Sequence, residues 1–101
     1  MNWLEPWYDL SGSEREPFAQ QLKKEIRSGH KLAGLSFEVI GKNGANDDVL
    51  IKLEHGAYQL AVVHLVWNGW TDHQYPLTYF YKDWQDFVDN RMKEDNFGYE
   101  E

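Results

Sequence analysis

The spacing of apolar residues changes twice along the chain. Over residues 13–28 an apolar side chain recurs at every fourth position, at Phe18, Leu22 and Ile26. This spacing is typical of an amphipathic helix. Two helix starts fit the sequence: Ser13 and Glu16 as a capping box, or Glu16 as the cap with Pro17 as the first helical residue. Gly29 predicts the end of this helix.

From residue 35 onward the period becomes two, which indicates β-strands. The sequence predicts strands over residues 35–39, 48–54, 57–67 and 77–81. Asn43-Gly44 and His55-Gly56 mark the reversals between the first three, and the short connections favour antiparallel pairing. The third strand is apolar on both faces, which predicts a place inside the sheet.

A second helix is predicted at the end of the chain. Asp83 can cap it. The residues that follow i, i+3, i+4, i+7, i+8 spacing are Trp84, Phe87, Val88, Arg91 and Met92. We therefore expect an α+β fold, a four-stranded antiparallel meander with an N-terminal and a C-terminal helix, in the order α-β-β-β-β-α.

The first residues are unusually rich in aromatic rings. Residues 1–12 contain Trp3, Trp7 and Tyr8, so we expect them to form an arm packed on the sheet rather than to extend into water. With both helices expected on one face, the arm would cover the other, on which Ala61, Val63, Leu65 and Trp67 lie. The whole chain is then one domain, 1–101, with the arm at 1–12, the α-β-β-β-β-α core at 13–95 and an acidic tail at 96–101.

Composition excludes several classes of function. The chain has 101 residues and no cysteine, so a disulfide framework, a thiolate metal site and a thiol nucleophile are excluded. Seventeen acidic residues against ten basic ones give a net charge of -7, which argues against nucleic acid as a partner. The longest apolar run, 60–66, contains His64 and is too short to span a bilayer, and the N-terminal residues lack the layout of a secretion signal. We expect no membrane association and a cytoplasmic location.

Acidic residues concentrate at the C-terminal end. Residues 83–101 hold seven acids and two bases, a pattern that can steer a basic protein or serve only as a solvated face and tail. Aromatic residues around the loop before the fourth strand add contact surface typical of binding hot spots. The predicted partner-binding residues are Trp70, Asp72, Tyr75, Asp86, Asp89, Glu94 and Asp95.

His64 is the one histidine inside a predicted strand. It is either a core histidine with a satisfied hydrogen bond or a base held by a nearby carboxylate. A ligand pocket would then contain His64, Asp47, Asp48 and Trp67. No Gly-x-Ser-x-Gly elbow accompanies it. Neither Asn46-Asp47-Asp48 nor Thr71-Asp72-His73 has recognised ligand spacing, so we predict no metal, no cofactor and no catalytic residue.

Four stretches of the sequence resemble a family of short bacterial proteins of uncharacterised function. They are Asn2-Trp3-Leu4-Glu5-Pro6-Trp7-Tyr8, Asp47-Asp48-Val49-Leu50, Ala61-Val62-Val63-His64-Leu65-Val66-Trp67 and Pro76-Leu77-Thr78. The resemblance implies a bacterial, cytoplasmic setting and no activity. In that family a threonine tends to precede the tryptophan of the central strand, whereas this chain has Val66. The difference argues against a hydroxyl that acts beside His64.

Three functions fit these observations. The first is a non-catalytic protein-binding module, plausibly an immunity or inhibitor protein that neutralises a basic partner such as a nuclease toxin. The second is a small-molecule binder or enzyme that uses His64 with nearby carboxylates. The third is a structural subunit that forms a homodimer through a sheet edge. The sequence leaves monomer and homodimer open.

Overall fold

A computed structural model describes residues 2–67 and 75–100 and shows an α+β fold. In these residues five antiparallel strands form one sheet in chain order. The strands are β1 (Trp7–Asp9), β2 (Phe37–Asn43), β3 (Asp48–Leu53), β4 (Leu60–His64) and β5 (Thr78–Tyr81). A 3-10 turn, Gly12–Arg15, leads into helix α1 (Glu16–Glu25). The C-terminal segment contains α2 (Trp84–Phe87), a π-helical turn (Val88–Met92) and α3 (Lys93–Glu100). None of the described helices is both long enough and apolar enough to cross a membrane.

The α+β class, the antiparallel sheet and two helical segments are confirmed, but the predicted four strands and the predicted order α-β-β-β-β-α are wrong, because one more strand precedes α1. The additional strand is β1, which comes from the aromatic arm and pairs with β2 so that Trp7 lies opposite Asn43 and Asp9 opposite Gly41. The arm gains backbone hydrogen bonds at the edge of the sheet. Three residues are too few to show an alternating pattern, so periodicity does not predict a strand there.

The two helical segments pack on opposite faces of the sheet, so the prediction that both share one face is wrong. On the first face, Val49, Ile51, Ala61 and Val63 pack with Leu22 of α1. On the second face, Leu50, Leu60 and Val62 pack with Phe87 and Met92 of the C-terminal segment. Because β3 and β4 are apolar on both sides, each face needs its own cover to exclude water.

The arm also lies on a different face from the one predicted. Trp3 and Trp7 pack on the second face, where the Trp7 ring meets Phe87 edge-on at a centroid distance of 5.1 Å. Ala61 and Val63 belong instead to the face under α1. Gly41 permits this arrangement because it has no side chain. A Cβ at this position would lie 2.7 Å from Cζ3 of Trp3, which is closer than two carbon atoms can pack.

The first helix ends earlier than predicted, whereas the second begins at its predicted cap. Helix α1 is shorter than 13–28, because Ile26 already has an extended backbone. At the other end, Asp83 acts as the predicted cap: its Oδ1 accepts a hydrogen bond from the Asp86 amide at 2.9 Å. Helix α3 continues to Glu100, so it includes the described residues of the predicted acidic tail, 96–101.

Candidate functional site

Two residues of the predicted ligand pocket meet on the second face. Asp48 and His64 lie opposite each other on β3 and β4. The carboxylate Oδ1 of Asp48 is 2.6 Å from Nδ1 of His64. The Asp48 side chain is only 5% exposed, whereas that of His64 is 48% exposed. A buried carboxylate therefore orients a histidine whose ring reaches solvent.

Arg91 of the π-helical turn completes the surroundings of Asp48. Its Nη2 donates to Asp48 Oδ2 at 2.8 Å, so each carboxylate oxygen has its own partner. Its Nη1 donates to the Tyr81 hydroxyl at 3.3 Å, and the guanidinium lies 5.2 Å from the centre of the Tyr79 ring. Arg91 thus connects the C-terminal segment to strands β3 and β5.

Asp95 extends the connections to the arm. Its Oδ2 accepts from Arg91 Nε at 3.3 Å and from the indole Nε1 of Trp7 at 2.7 Å. Asn43 Nδ2 lies 3.5 Å from the same oxygen. We call His64, Asp48, Arg91, Tyr81, Asp95 and Trp7 the Arg91 network. It spans the sheet from β1 to β5, so it holds the C-terminal segment on the second face.

Burial and charge have opposing effects on the ionisable groups of this network. Burial raises the pKa of the Tyr81 hydroxyl above its ordinary value of 10.0, and the neighbouring Arg91 partly offsets this. Burial lowers the pKa of Arg91, but Tyr81 and Asp48 outweigh it and the net direction is upward. Both groups therefore keep their protons at neutral pH, and Arg91 stays a cation beside two carboxylates.

The arrangement has a defined chemistry at His64. When the imidazole is neutral, its Nδ1–H donates a hydrogen bond to Asp48. The Nε2 lone pair is then free to accept a proton or a hydrogen bond. In the described part of the chain Asp48 is the hydrogen-bond partner of the His64 ring. The geometry supports a base or a polar contact at this position.

The other predicted pocket residues lie elsewhere. Asp47 is exposed, and its backbone carbonyl accepts from the Leu65 amide at 3.0 Å. Trp67 is 49% exposed and meets Phe18 of α1 edge-on at 6.4 Å, on the first face. His64 lies on the second face, so the sheet separates these two rings.

Of the predicted partner-binding residues in the aromatic loop, Trp70 and Asp72 fall outside the described residues. Tyr75 is 43% exposed.

Buried polar side chains fix the chain on both sides of residues 68–74. Glu25 of α1 accepts from the amides of Val66 and Trp67 at 2.7 and 3.0 Å, and His30 Nε2 lies 2.8 Å from the Pro76 carbonyl. The Leu32 amide donates to His30 Nδ1, so the proton of this ring is on Nε2.

The predicted acidic residues of the C-terminal segment divide into two groups. Asp86, Asp89 and Glu94 lie on its outer side, where Asp89 pairs with Lys93 at 3.2 Å. Hydrogen bonds from the Lys82 amide and from Asn90 lower the pKa of Asp86, which keeps it ionised. Asp95 instead turns inward, where it pairs with Arg91 as part of the Arg91 network.

A groove lies beside the outer acids, between the C-terminal segment and the turn after β2. It has a volume of about 480 Å³ and is lined by Pro6, Asn43, Asn46, Glu94, Asp95 and Tyr99, among others. Phe97 and Tyr99 are 70% and 54% exposed at the same end of the segment. The C-terminal segment thus combines carboxylates, exposed rings and an open groove.

Sequence reasoning missed Arg91 as a site residue. One signal was present: Arg91 occupies an apolar position in the predicted helix pattern, and a cation in such a position needs a carboxylate partner. Trp7 was predicted only as part of the arm. Its contact with Asp95 joins residues 88 positions apart, and no local pattern reports such a distance.

No protein-family model matches the sequence, and neither the curated proteins nor the solved structures include a significant match to it.

Proposed function

We propose that this chain is a non-catalytic protein-binding module that covers a basic partner, in the manner of an immunity or inhibitor protein. The observation that carries the proposal is the pair of exposed rings, Phe97 and Tyr99, on the acidic C-terminal segment. Exposed rings beside carboxylates supply both contact area and attraction to cations.

The charge of the segment supports a basic partner. Its two basic side chains are already paired, Arg91 with Asp48 and Asp95, and Lys93 with Asp89. The field outside the segment is therefore dominated by acids such as Glu94. A negative field of this kind raises the association rate with a positive protein, and salt reduces the effect.

The groove supports a specific contact after the encounter. Its lining includes Glu94, Asp95 and Tyr99 of the C-terminal segment, and Asn43 and Asn46 at the end of β2 and in the turn after it. A lysine or arginine side chain fits this lining, because it meets carboxylates, amide groups and a ring face together. Exposed rings next to the groove exclude water from the contact and slow release.

The proposal is tested by capture from an extract of the native cell on the immobilised full chain. We expect a basic protein to be retained at about 50 mM salt and released at about 500 mM, because salt screens exposed charges. A Phe97→Ser/Tyr99→Ser double variant should shorten the lifetime of the complex at least about tenfold. A Glu94→Gln variant should mainly lower the association rate.

The matched control is Tyr58→Ser, which removes a ring that is 43% exposed but lies outside the C-terminal segment. It should leave both rate constants unchanged. Circular dichroism checks that every variant is folded. Retention of no basic protein at low salt, or equal retention by the double variant and the wild type, would contradict the proposal.

A further inference from the structure

The two edge strands of the sheet differ in how well they are protected against pairing. Among the described residues, β1 and β5 are the edges. β1 has three residues, follows Pro6 and ends at Asp9. Short length, proline and charge are the features that prevent an edge from pairing with another chain. β5 has four residues and contains neither proline nor charge between Thr78 and Tyr81, although Pro76 lies two residues before it and Lys82 directly follows it.

The uncharged stretch extends beyond the strand. Residues 75–81 contain no charged side chain, although 27% of the chain is charged. Three apolar or aromatic side chains in this stretch are half-exposed: Tyr75 at 43%, Leu77 at 41% and Tyr79 at 46%. Leu77 and Tyr79 alternate, so they point to the same face.

His64 borders this surface. Its amide donates to the Leu77 carbonyl at 3.0 Å, which places the half-exposed imidazole beside Leu77. We call Tyr75, Leu77, Tyr79 and His64 the β5 patch. The C-terminal segment covers the second face farther along the sheet, where Tyr81 is buried. At the β5 patch it contributes the Arg91 guanidinium, 5.2 Å from the centre of the Tyr79 ring, and the patch side chains stay half-exposed.

We propose that the β5 edge pairs antiparallel with the β5 edge of a second copy of this chain about a two-fold axis. Two copies each carry a net charge of -7, which opposes their association. The β5 patch is where two copies meet without placing carboxylates together. A two-fold axis makes one strand its own partner, so Leu77 and Tyr79 of both copies pack across the new strand pair.

Charge distinguishes this contact from the one proposed for the basic partner. The acidic segment attracts a cationic protein, so salt weakens that complex. Self-association works against like net charges, so salt strengthens it or leaves it unchanged. The two contacts also use different residues, and either proposal can fail while the other stands.

Sedimentation equilibrium of the purified full chain tests the dimer. We expect the apparent mass to rise with concentration from 12.0 kDa toward twice that value, and the dimer to be at least as stable at about 500 mM salt as at about 50 mM. Tyr79→Glu should weaken dimerisation at least about tenfold, because it brings two carboxylates together at the axis. The new carboxylate also lies near Arg91 of its own chain, which limits harm to the fold.

The matched control is Tyr8→Glu, which alters a tyrosine that is 44% exposed on β1, the other edge strand. It should leave the dimer unchanged, and circular dichroism should show both variants folded. A mass of 12.0 kDa at every concentration and salt level overturns the proposal. So does a dimer that salt weakens, or one that Tyr8→Glu dissociates as strongly as Tyr79→Glu.

Discussion

Asp48 is the residue on which the second face depends most. Its side chain is almost fully buried, and Arg91 and His64 each bind one of its oxygens. Removing a partner from a buried charge leaves the charge poorly solvated, which costs more than the intact pair contributes. Arg91, whose side chain is only 20% exposed, is therefore important for stability as well as for the geometry of the site.

Replacing Arg91 with Met tests this view. Met keeps the apolar stem, so the loss reports the guanidinium, and we expect the free energy of unfolding to fall by about 1–3 kcal/mol. Urea denaturation at neutral pH measures the change. Lys93→Met is the control, because Lys93 pairs with Asp89 where both side chains are well exposed, and it should cost no more than about 0.5 kcal/mol. Equal losses in the two variants would show that the buried position of Asp48 does not matter.

The sequence predicted part of this site for a clear physical reason. His64 in an apolar strand needs a partner, and a carboxylate in the preceding strand is a natural source. Arg91 was not predicted because its position depends on how the C-terminal segment winds. The period-3.6 pattern does place Phe87 and Met92 on one face, and both are fully buried, but Arg91 lies in a π-helical turn, Val88–Met92. Period-3.6 reasoning does not anticipate that turn.

At the scale of elements, local patterns predicted the strands and the helices better than their arrangement. The alternating segments correspond to β2, β3, β4 and β5, and the Asp83 cap begins the C-terminal segment. Leu50 was not placed in the core, although it is completely buried under that segment. The face that each helix covers depends on long-range packing, which a single sequence does not encode locally.

Strand β2 offers a sharp test of packing between elements. Gly41 lies where β2 shifts register against β3, and the Trp3 ring fills the space that a Cβ would need. Gly41→Ala should lower the free energy of unfolding by about 1–3 kcal/mol, the usual cost of overpacking. Gly98→Ala is the matched control, because a Cβ there meets nothing within 4 Å and α3 should gain about 0.5–1 kcal/mol. Urea denaturation should therefore show changes of opposite sign, and a loss in both variants would contradict this packing.

At the scale of the whole molecule, one sheet joins two apolar clusters. The clusters do not share residues, but neighbouring positions of β3 and β4 alternate between them, as Val49 with Leu50 and Val62 with Val63. Neither cluster can lose its cover without exposing a strand that supports the other. The two halves of the core should therefore unfold together even though different helices cover them.

Core substitutions on opposite faces test this coupling. Leu22→Ala removes a fully buried side chain under α1, and Phe87→Ala removes one under the C-terminal segment. Each should lower the free energy of unfolding by about 2–5 kcal/mol. Far-UV circular dichroism and tryptophan fluorescence should give one coincident transition for both variants, although Trp3, Trp7 and Trp84 all report on the second face. A Phe87→Ala variant whose fluorescence transition precedes the loss of circular dichroism would instead mean that the second face unfolds on its own.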